Sequence, residues 1–107
     1  MNKIMKIKTP FGSVELRRAG GTWWYTAEIG ALHVDENERN KGHGKELILL
    51  CINKAKEIGI VNLVAAIYPD KTYSKKAFIA NHFHKITKPT ATSLRTGNQV
   101  EIWELVL

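Results

Sequence analysis

The sequence has little of what builds a fold stapled by disulfides or by zinc. Its 107 residues contain one cysteine, Cys51, so neither a disulfide framework nor a multi-cysteine zinc module forms within the chain. No apolar run approaches the ~18 residues that cross a bilayer, and the longest, residues 47–52, ends at Asn53. The lysines near the N-terminus precede no apolar core of signal-peptide length. We therefore expect a cytoplasmic protein with no membrane partner.

Length and composition bound the architecture. Domains usually contain ~100–200 residues, so residues 1–107 are predicted to form a single domain. A β/α barrel is excluded, because it needs ~250 residues. Hydrophobic residues make up 44% of the chain and charged residues 24%, a composition typical of a folded globular domain. No repeat or low-complexity segment interrupts it.

The charge is positive but scattered. Sixteen lysines and arginines against ten acidic residues give a net charge of +6, which favours an acidic partner such as nucleic acid or a phosphate-bearing small ligand. The basic residues form no stripe, and scattered charge is more typical of a solvated surface than of a nucleic-acid interface. Nucleic acid is therefore the weaker of these partners.

The first third of the chain is rich in strand patterns. Gly30, inside the longest of them, indicates a β-bulge or a close approach of another group to the backbone. Turn residues separate the strands. The predicted strands cover residues 4–8, 14–17 and 22–34.

An amphipathic helix follows over residues 44–58. Its apolar residues recur every three or four positions, and Gly59 is a typical helix stop. The predicted buried face consists of Leu47, Ile48, Cys51, Ile52, Ala55 and Ile58. Cys51 on this face is expected to be a core residue rather than a nucleophile.

The rest of the chain predicts one strand, a short helix and two more strands. The strand at 61–68 is almost continuously apolar, which predicts burial on both faces of a sheet. In the short helix Ala77, Phe78 and Ala80 are expected to face inward. The remaining elements cover residues 72–81, 83–88 and 100–107. Antiparallel strands followed by a β-α-β unit and a C-terminal antiparallel pair indicate an α+β mixed sheet rather than a doubly wound fold.

The segment with the clearest chemistry is residues 34–44, between a strand and the first helix. Gly42 and Gly44 allow a tight turn, and a helix that begins there points unpaired N–H groups at an anion. Arg39 and Lys41 add cationic side chains. The junction suits a diphosphate, although a glycine-containing turn is also common as a mere connection, and the spacing is not that of a Walker A loop.

The motif Arg39-x-x-Gly42-x-Gly44 resembles the R/Q-x-x-G-x-G/A signature of the GNAT (Gcn5-related N-acetyltransferase) superfamily. Its context agrees, because Val34 precedes Arg39 by five residues and an amphipathic helix follows. A later segment resembles the family's N-x-x-S-x-x-x-Y-x-x-x-G-F region, with Ser74 and Phe78 at the Ser and Tyr positions and His82-Phe83 in place of Gly-Phe. The resemblance covers roughly residues 22–107.

This resemblance implies the GNAT fold and an N-acetyltransferase that uses acetyl-CoA as co-substrate and needs no metal. The first strands are too close in sequence to hold the family's two N-terminal helices, so the chain is expected to be a minimal member. The acetyl group is expected to pass directly to an amine in a ternary complex. The implied cofactor-binding residues are Leu32, His33 and Val34 beside the pantetheine, Arg39, Asn40, Lys41, Gly42, His43 and Gly44 around the pyrophosphate, together with Ser74 and Phe78.

Two departures from the family pattern bear on activity. Phe78 has no hydroxyl with which to protonate the departing thiolate, which is the role that the resemblance implies for a tyrosine there. Tyr73 is five residues away, off the same helical face, and is expected to pack rather than to replace it. Asp70 or Lys71 stands where the family has an asparagine beside the pantetheine.

Glu28 is the candidate general base. It lies six residues before Val34, the spacing at which the histone-acetylating branch of the family carries its glutamate. An ammonium must lose a proton before its nitrogen attacks a thioester, and a carboxylate meets that need. The alternatives are an exposed strand glutamate, a water relay, or a relay through His33.

Other candidates carry less. Four histidines without partnering cysteines or an HExxH helix make a metal site improbable. Trp23 and Trp24 point to opposite faces of a strand, so at most one is free for a ligand. The acceptor amine is open, and a homodimer partner or these tryptophans would help to define it. The alternative function is a catalytically weak or inactive binding module for CoA, nucleic acid or a protein partner.

Overall fold

The structure, a computed structural model, describes residues 3–18, 25–86, 91–92, 97 and 99–107, with the backbone alone at 91–92. The predicted order of elements is confirmed, with one additional short strand before the last. The elements are β1 (Lys3–Thr9), β2 (Gly12–Arg18), β3 (Thr26–Val34), a single 3₁₀ turn (Glu36–Glu38), α1 (His43–Glu57), β4 (Asn62–Ile67), α2 (Thr72–Ala80), β5 (His84–Lys85), β6 (Ala91–Thr92) and β7 (Gln99–Val106).

The strands form one mixed sheet in the order β1-β2-β3-β4-β7-β5, with β6 paired to β7. Only β3 and β4 run parallel, and the other pairs are antiparallel. Such a β-α-β connection needs a crossover, and α1 supplies it. The predicted α+β class with a mixed sheet is therefore confirmed.

Both helices lie on one face of the sheet. α1 buries Leu47, Ile48, Cys51, Ile52 and Ala55, as its periodicity predicts. Ile58 does not join them: it caps the helix rather than continuing it, and it is 42% exposed. Burial raises the pKa of the Cys51 thiol to about 12, so this cysteine is a core residue and not a nucleophile.

The prediction that β4 is buried on both faces is wrong. Leu63, Ala65 and Ile67 are buried, but Val64 is half-buried and Ala66 is exposed. β1 and β2 are joined by Pro10 and Phe11 alone, so no helix separates these strands. We call the uncovered side of the sheet the open face; cross-strand pairing places on it Lys6, Lys8, Ser13, Glu15, Arg17, Glu28, Gly30, Val64 and Ala66.

Asn81 ties α2 to α1. Its side chain is 6% exposed, and Nδ2 donates to the carbonyl oxygens of Lys45 at 3.0 Å and Ala77 at 3.1 Å. Ala77 and Phe78 face inward as predicted, whereas Ala80 is exposed, because α2 ends there and the chain turns away. Phe78 meets Phe83 edge-on, with ring centroids 5.0 Å apart.

An ion pair and a hydrogen bond at Glu101 connect α2 to β7. Lys75 Nζ lies 3.2 Å from a carboxylate oxygen of Glu101 on β7, and the Trp103 indole donates to the same carboxylate at 3.2 Å. Burial disfavours the charged form of Glu101, but these hydrogen bonds outweigh it and hold the pKa of the carboxyl below its ordinary value. α2 is thus fixed at both ends.

His82 adopts a backbone conformation that favours glycine. Its φ is 69°, and it occupies the position where the GNAT pattern has glycine. We expect His82→Gly to stabilise the fold by about 0.5–1 kcal/mol, since relief of the left-handed strain exceeds the entropy that glycine loses on folding. Thermal unfolding should show a melting temperature higher by a few degrees.

Lys76→Gly is the matched control for this prediction. Lys76 is exposed inside α2, where glycine should destabilise by about 0.5–1 kcal/mol. Equal destabilisation by both substitutions would show that the conformation of His82 carries no strain.

Candidate functional site

A cleft opens where β3 and β4 separate. The two strands pair only through Thr26↔Asn62, Ala27↔Leu63 and Glu28↔Val64. Past this point β3 carries one extra residue relative to β2, since the pairs Ser13↔His33 and Glu15↔Gly30 enclose one residue on β2 and two on β3. The sequence predicts a bulge at Gly30, and the structure places it at the next residue, Ala31, whose φ is 53°.

The cleft between the separated strands has a volume of about 630 Å³. β3 pairs with β2 on one side only beyond Glu28, so its other edge faces the cleft without a strand partner among the described residues. The start of α2 closes the cleft from the helix side. Its lining includes Gly30, Leu32, His33, Arg39, Ser74 and Phe78.

A second cavity of about 250 Å³ adjoins the cleft at the start of α1. The loop turns there through left-handed conformations, with φ of 64° at Asn40 and 86° at Gly42. Gly42 is the N-cap of α1 and supplies no side-chain hydrogen bond, so the first N–H groups of the helix lack a side-chain cap. Such turns and helix starts gather N–H groups around an anion.

Arg39 lies between the two cavities. Its Nε donates to the Val34 carbonyl at 3.1 Å, and its guanidinium carbon sits 4.4 Å from the centre of the Tyr73 ring. Tyr73 lines both cavities and shares the larger one with Phe78. Tyr73 and Phe78 therefore reach the same cleft, although five residues separate them and they are not on one helical face.

The hairpin between β1 and β2 braces the loop at the start of α1. Phe11 stacks on His43 with ring centroids 4.2 Å apart, and its carbonyl accepts a hydrogen bond from the Asp35 N–H at 2.8 Å. Glu38 lies 3.3 Å from Lys41 Nζ and 3.4 Å from His43 Nε2. The side chains of Lys41 and His43 are thus engaged by Glu38 and Phe11. Neither Phe11 nor Glu38 belongs to the motif, and no sequence pattern indicated these contacts.

Gly44 sits where the two helices touch. A Cβ on it would lie 3.3 Å from the Cβ of Ala77, tighter than an ordinary contact. A side chain at this position would press on Ala77, which favours glycine or alanine, the residues of the motif.

Glu28 is half-buried on the open face, directly before the strands separate. Its carboxylate has no hydrogen bond or ion pair with any other described residue. His33 lies on the same face beyond the bulge, 60% exposed, with Nε2 3.5 Å from Asp35. Glu28 and His33 thus lie on the same face of the sheet on either side of the bulge, and of the two only His33 lines the cleft, while Trp23 and Trp24 lie outside the described residues.

Phe78 and Ser74 line the cleft from α2. Phe78 is 3% exposed. Asp70 and Lys71, in place of the family's asparagine, also line the cleft.

Two further findings concern the described part of the chain. It contains no group of three or more His, Cys, Asp or Glu side chains placed to hold a metal ion. None of the helices in these ranges is long and apolar enough to cross a bilayer.

Comparison with known proteins agrees with this geometry. The sequence model of the Acetyltransferase (GNAT) family matches residues 8–83. The chain belongs to the GNAT family. No curated protein sequence matches it.

Solved structures with the same fold include GNAT acetyltransferases. The Salmonella typhimurium protein yncA, with its cofactor acetyl-CoA, is 20% identical with a TM-score of 0.77 over 91% of this chain and 58% of its own. The Brucella melitensis ribosomal-protein-alanine N-acetyltransferase is 19% identical with a TM-score of 0.74, over 91% and 62%. The Bacillus subtilis acetyltransferase in complex with CoA is 23% identical with a TM-score of 0.73, over 91% and 69%. At these identities the likeness shows the GNAT fold, and the chain spans about three fifths of the length of the first structures that it matches.

Proposed function

We propose that the protein is an N-acetyltransferase that moves an acetyl group from acetyl-CoA directly to an amine. The observation that carries the proposal is the cleft itself. It joins an unpaired strand edge to an uncapped helix start in a GNAT chain, and structures of the same fold hold acetyl-CoA or CoA.

The two cavities fit the two ends of this ligand. The backbone N–H groups at 40–44 would receive the pyrophosphate, and Arg39, held by Val34 and Tyr73, would add a fixed positive charge. The free edge of β3 at Leu32 and His33 would bond the pantetheine as an added strand does. The Val34 carbonyl already accepts from Arg39, so its part is to hold that arginine. Ser74 and Phe78 would close the other wall.

Glu28 would prepare the acceptor. An alkyl ammonium has a pKa of about 10.4 and is mostly protonated at neutral pH. Its proton passes to the Glu28 carboxylate, directly or through water, and the freed nitrogen attacks the thioester carbon. The C–N bond forms, the C–S bond breaks, and CoA leaves as a thiolate, whose thiol has a pKa of about 8.5. The nitrogen loses its second proton as the amide forms, and the thiolate takes up a proton through solvent. The amides of the β3 edge would polarise the carbonyl oxygen.

We expect Phe78→Tyr to keep the affinity for acetyl-CoA and to raise turnover. The change adds one hydroxyl to a cleft wall with little change in ring volume. The gain should stay below the ~10²-fold typical of general acids, because a thiolate already leaves readily. Steady-state kinetics check this; unaltered turnover in a folded variant would show that thiolate protonation is not limiting. Phe83→Tyr, against the same ring but absent from the cleft lining, is the control.

Titration calorimetry with acetyl-CoA, followed by an amine panel assayed for free thiol, tests the proposed function. We expect binding that weakens only modestly with salt, together with release of thiol that depends on the amine. Binding without transfer to any amine would favour a CoA-binding module. No binding to acetyl-CoA, with binding to nucleic acid that falls steeply with ionic strength, would favour a nucleic-acid module.

A further inference from the structure

We propose that the acceptor of this transferase is a small amino acid whose carboxylate is held by Arg17 at the open-face mouth of the cleft. The inference rests on the proposed function and specifies its substrate class. It comes from the position of Arg17, which the motif does not include.

The guanidinium of Arg17 lies on the backbone of Gly30. A Cβ built on Gly30 would be 2.6 Å from Arg17 Nη1 and 2.9 Å from its Cζ, so only glycine leaves room for the guanidinium there. Gly30 is the cleft residue next to the bulge. Arg17 therefore reaches the point at which β3 and β4 separate, on the side away from the helices.

Glu15 fixes the Nε side of the Arg17 guanidinium, and the two Nη groups point away from this contact. Glu15 accepts a hydrogen bond from Arg17 Nε at 3.0 Å, and the side chains of Arg17 and Glu15 are only 22% and 19% exposed. The two Nη groups have no hydrogen-bond partner among the described residues. A guanidinium oriented through Nε presents its remaining N–H groups as a fork, which matches the two oxygens of a carboxylate.

The surrounding charges favour an anion next to an ammonium. Cross-strand pairing places Lys3 beside Arg17, Lys6 beside Glu15, and Lys8 beside Ser13, so this part of the open face is rich in positive charge. Glu28 is the cross-strand neighbour of Arg17, and no ion pair joins the two. The open face beside Gly30 thus carries the Arg17 guanidinium, paired with Glu15 through Nε, next to the Glu28 carboxylate, which has no ion pair with a described residue.

The separation of these groups limits the size of the acceptor. The Arg17 guanidinium lies over Gly30, and Glu28 is two residues earlier on the same face of β3, roughly 7 Å along the strand. An acceptor that meets both side chains therefore carries its amine and its carboxylate only a few bonds apart. An α- or β-amino acid satisfies this spacing, whereas a polyamine has no group for Arg17.

Matched acceptors test the inference. Phenylalanine against phenethylamine, and alanine against ethylamine, differ only by the carboxylate. We expect kcat/KM for each amino acid to exceed that for its amine by at least about tenfold, after correction for the fraction of free amine, since charge-assisted pairing of this kind is among the stronger hydrogen bonds. In Arg17→Gln the ratio should fall to about one, because KM for the amino acid rises.

Two further variants distinguish direct contact with Arg17 from the general positive charge of the open face. Gly30→Ala leaves every charge in place but displaces the Arg17 guanidinium, and it should also lose the preference. Lys8→Gln removes a charge from the same face at a distance from Gly30 and should keep it. The affinity for acetyl-CoA, measured for each variant, shows that the fold and the cofactor site are intact.

The outcomes distinguish this inference from the function on which it rests. Equal use of amino acids and amines, or transfer only to peptides or to phosphorylated amines, would overturn the role of Arg17 and leave the acetyltransferase in place. A carboxylate preference that survives in both Arg17→Gln and Gly30→Ala would assign it elsewhere. Failure to bind acetyl-CoA at all would remove the proposed function itself.

Discussion

Replacing Glu28 by glutamine is expected to lower turnover by about 10²–10⁴-fold, the range typical of general-base catalysis. Glutamine keeps the size and shape of the side chain but cannot accept the ammonium proton. Glu28 is half-buried before the cleft and is bound to no other described residue, so its loss should disturb little else. The affinity for acetyl-CoA by calorimetry should stay within about twofold of wild type.

Glu104→Gln is the matched control, because Glu104 lies on the same face opposite Val64, one strand further from the cleft. Its carboxylate is engaged by Asn62 at 3.1 Å, so we expect no loss of turnover beyond a small effect on stability. The acidic limb of the pH–rate profile should move or vanish in Glu28→Gln and persist in Glu104→Gln. Full activity with an unchanged acidic limb in Glu28→Gln would turn attention to His33 or to a bound water.

A negative charge at the start of α1 is expected to abolish tight binding of acetyl-CoA. Gly44→Asp and Gly44→Asn impose the same crowding against Ala77 and differ only in charge. Two unit charges about 6 Å apart repel by roughly 3 kcal/mol near a protein surface, so the Asp variant should bind about 100-fold more weakly than the Asn variant. Calorimetry with both proteins measures this ratio.

The stability of the ligand-free variants should change in the opposite direction. An acidic residue in the first turn of a helix is favourable by about 0.3–1 kcal/mol, so Gly44→Asp should melt slightly above Gly44→Asn. Weaker binding in a more stable protein cannot be a folding defect. Equal affinity of the two variants would mean that the pyrophosphate does not lie at this helix start.

Much of the fold could be predicted because its signals are local. The spacing of Leu47, Cys51 and Ala55 predicts α1 to within one residue at each end. The burial of β4 could not be predicted, since an apolar strand reads alike whether one or both of its faces are covered. Ala66 is exposed because the short connection between β1 and β2 leaves that face without a helix. Whether another element covers a face of a strand depends on the topology of the fold and not on the sequence of that strand.

The candidate site also has one part that the local sequence predicts and another part that it does not. Residues 39–44 are contiguous, and their motif locates the loop that is proposed to bind the pyrophosphate. The partners that shape this loop are distant in sequence: Phe11 stacks on His43, and Asn81 reaches Lys45. At Gly30 the sequence offered a bulge or a close approach, and the structure has both, a bulge at Ala31 and the guanidinium of Arg17. Gly30 indicated a close approach to the backbone, but the sequence did not indicate that Arg17 makes it.

The pairing between β3 and β4 is shorter than the pairing of either strand with its other neighbour. Three cross-strand pairs join these strands, whereas six join β2 to β3 and six join β4 to β7. Two half-sheets with more cross-strand pairs therefore meet along residues 26–28 and 62–64, and no strand pairing between described residues joins them at the cleft end. A ligand that is hydrogen-bonded to the free edge of β3 and packed against α2 would connect the two half-sheets across the cleft. Occupancy of the cleft should thus stiffen the whole molecule, and amide exchange should slow in both half-sheets together.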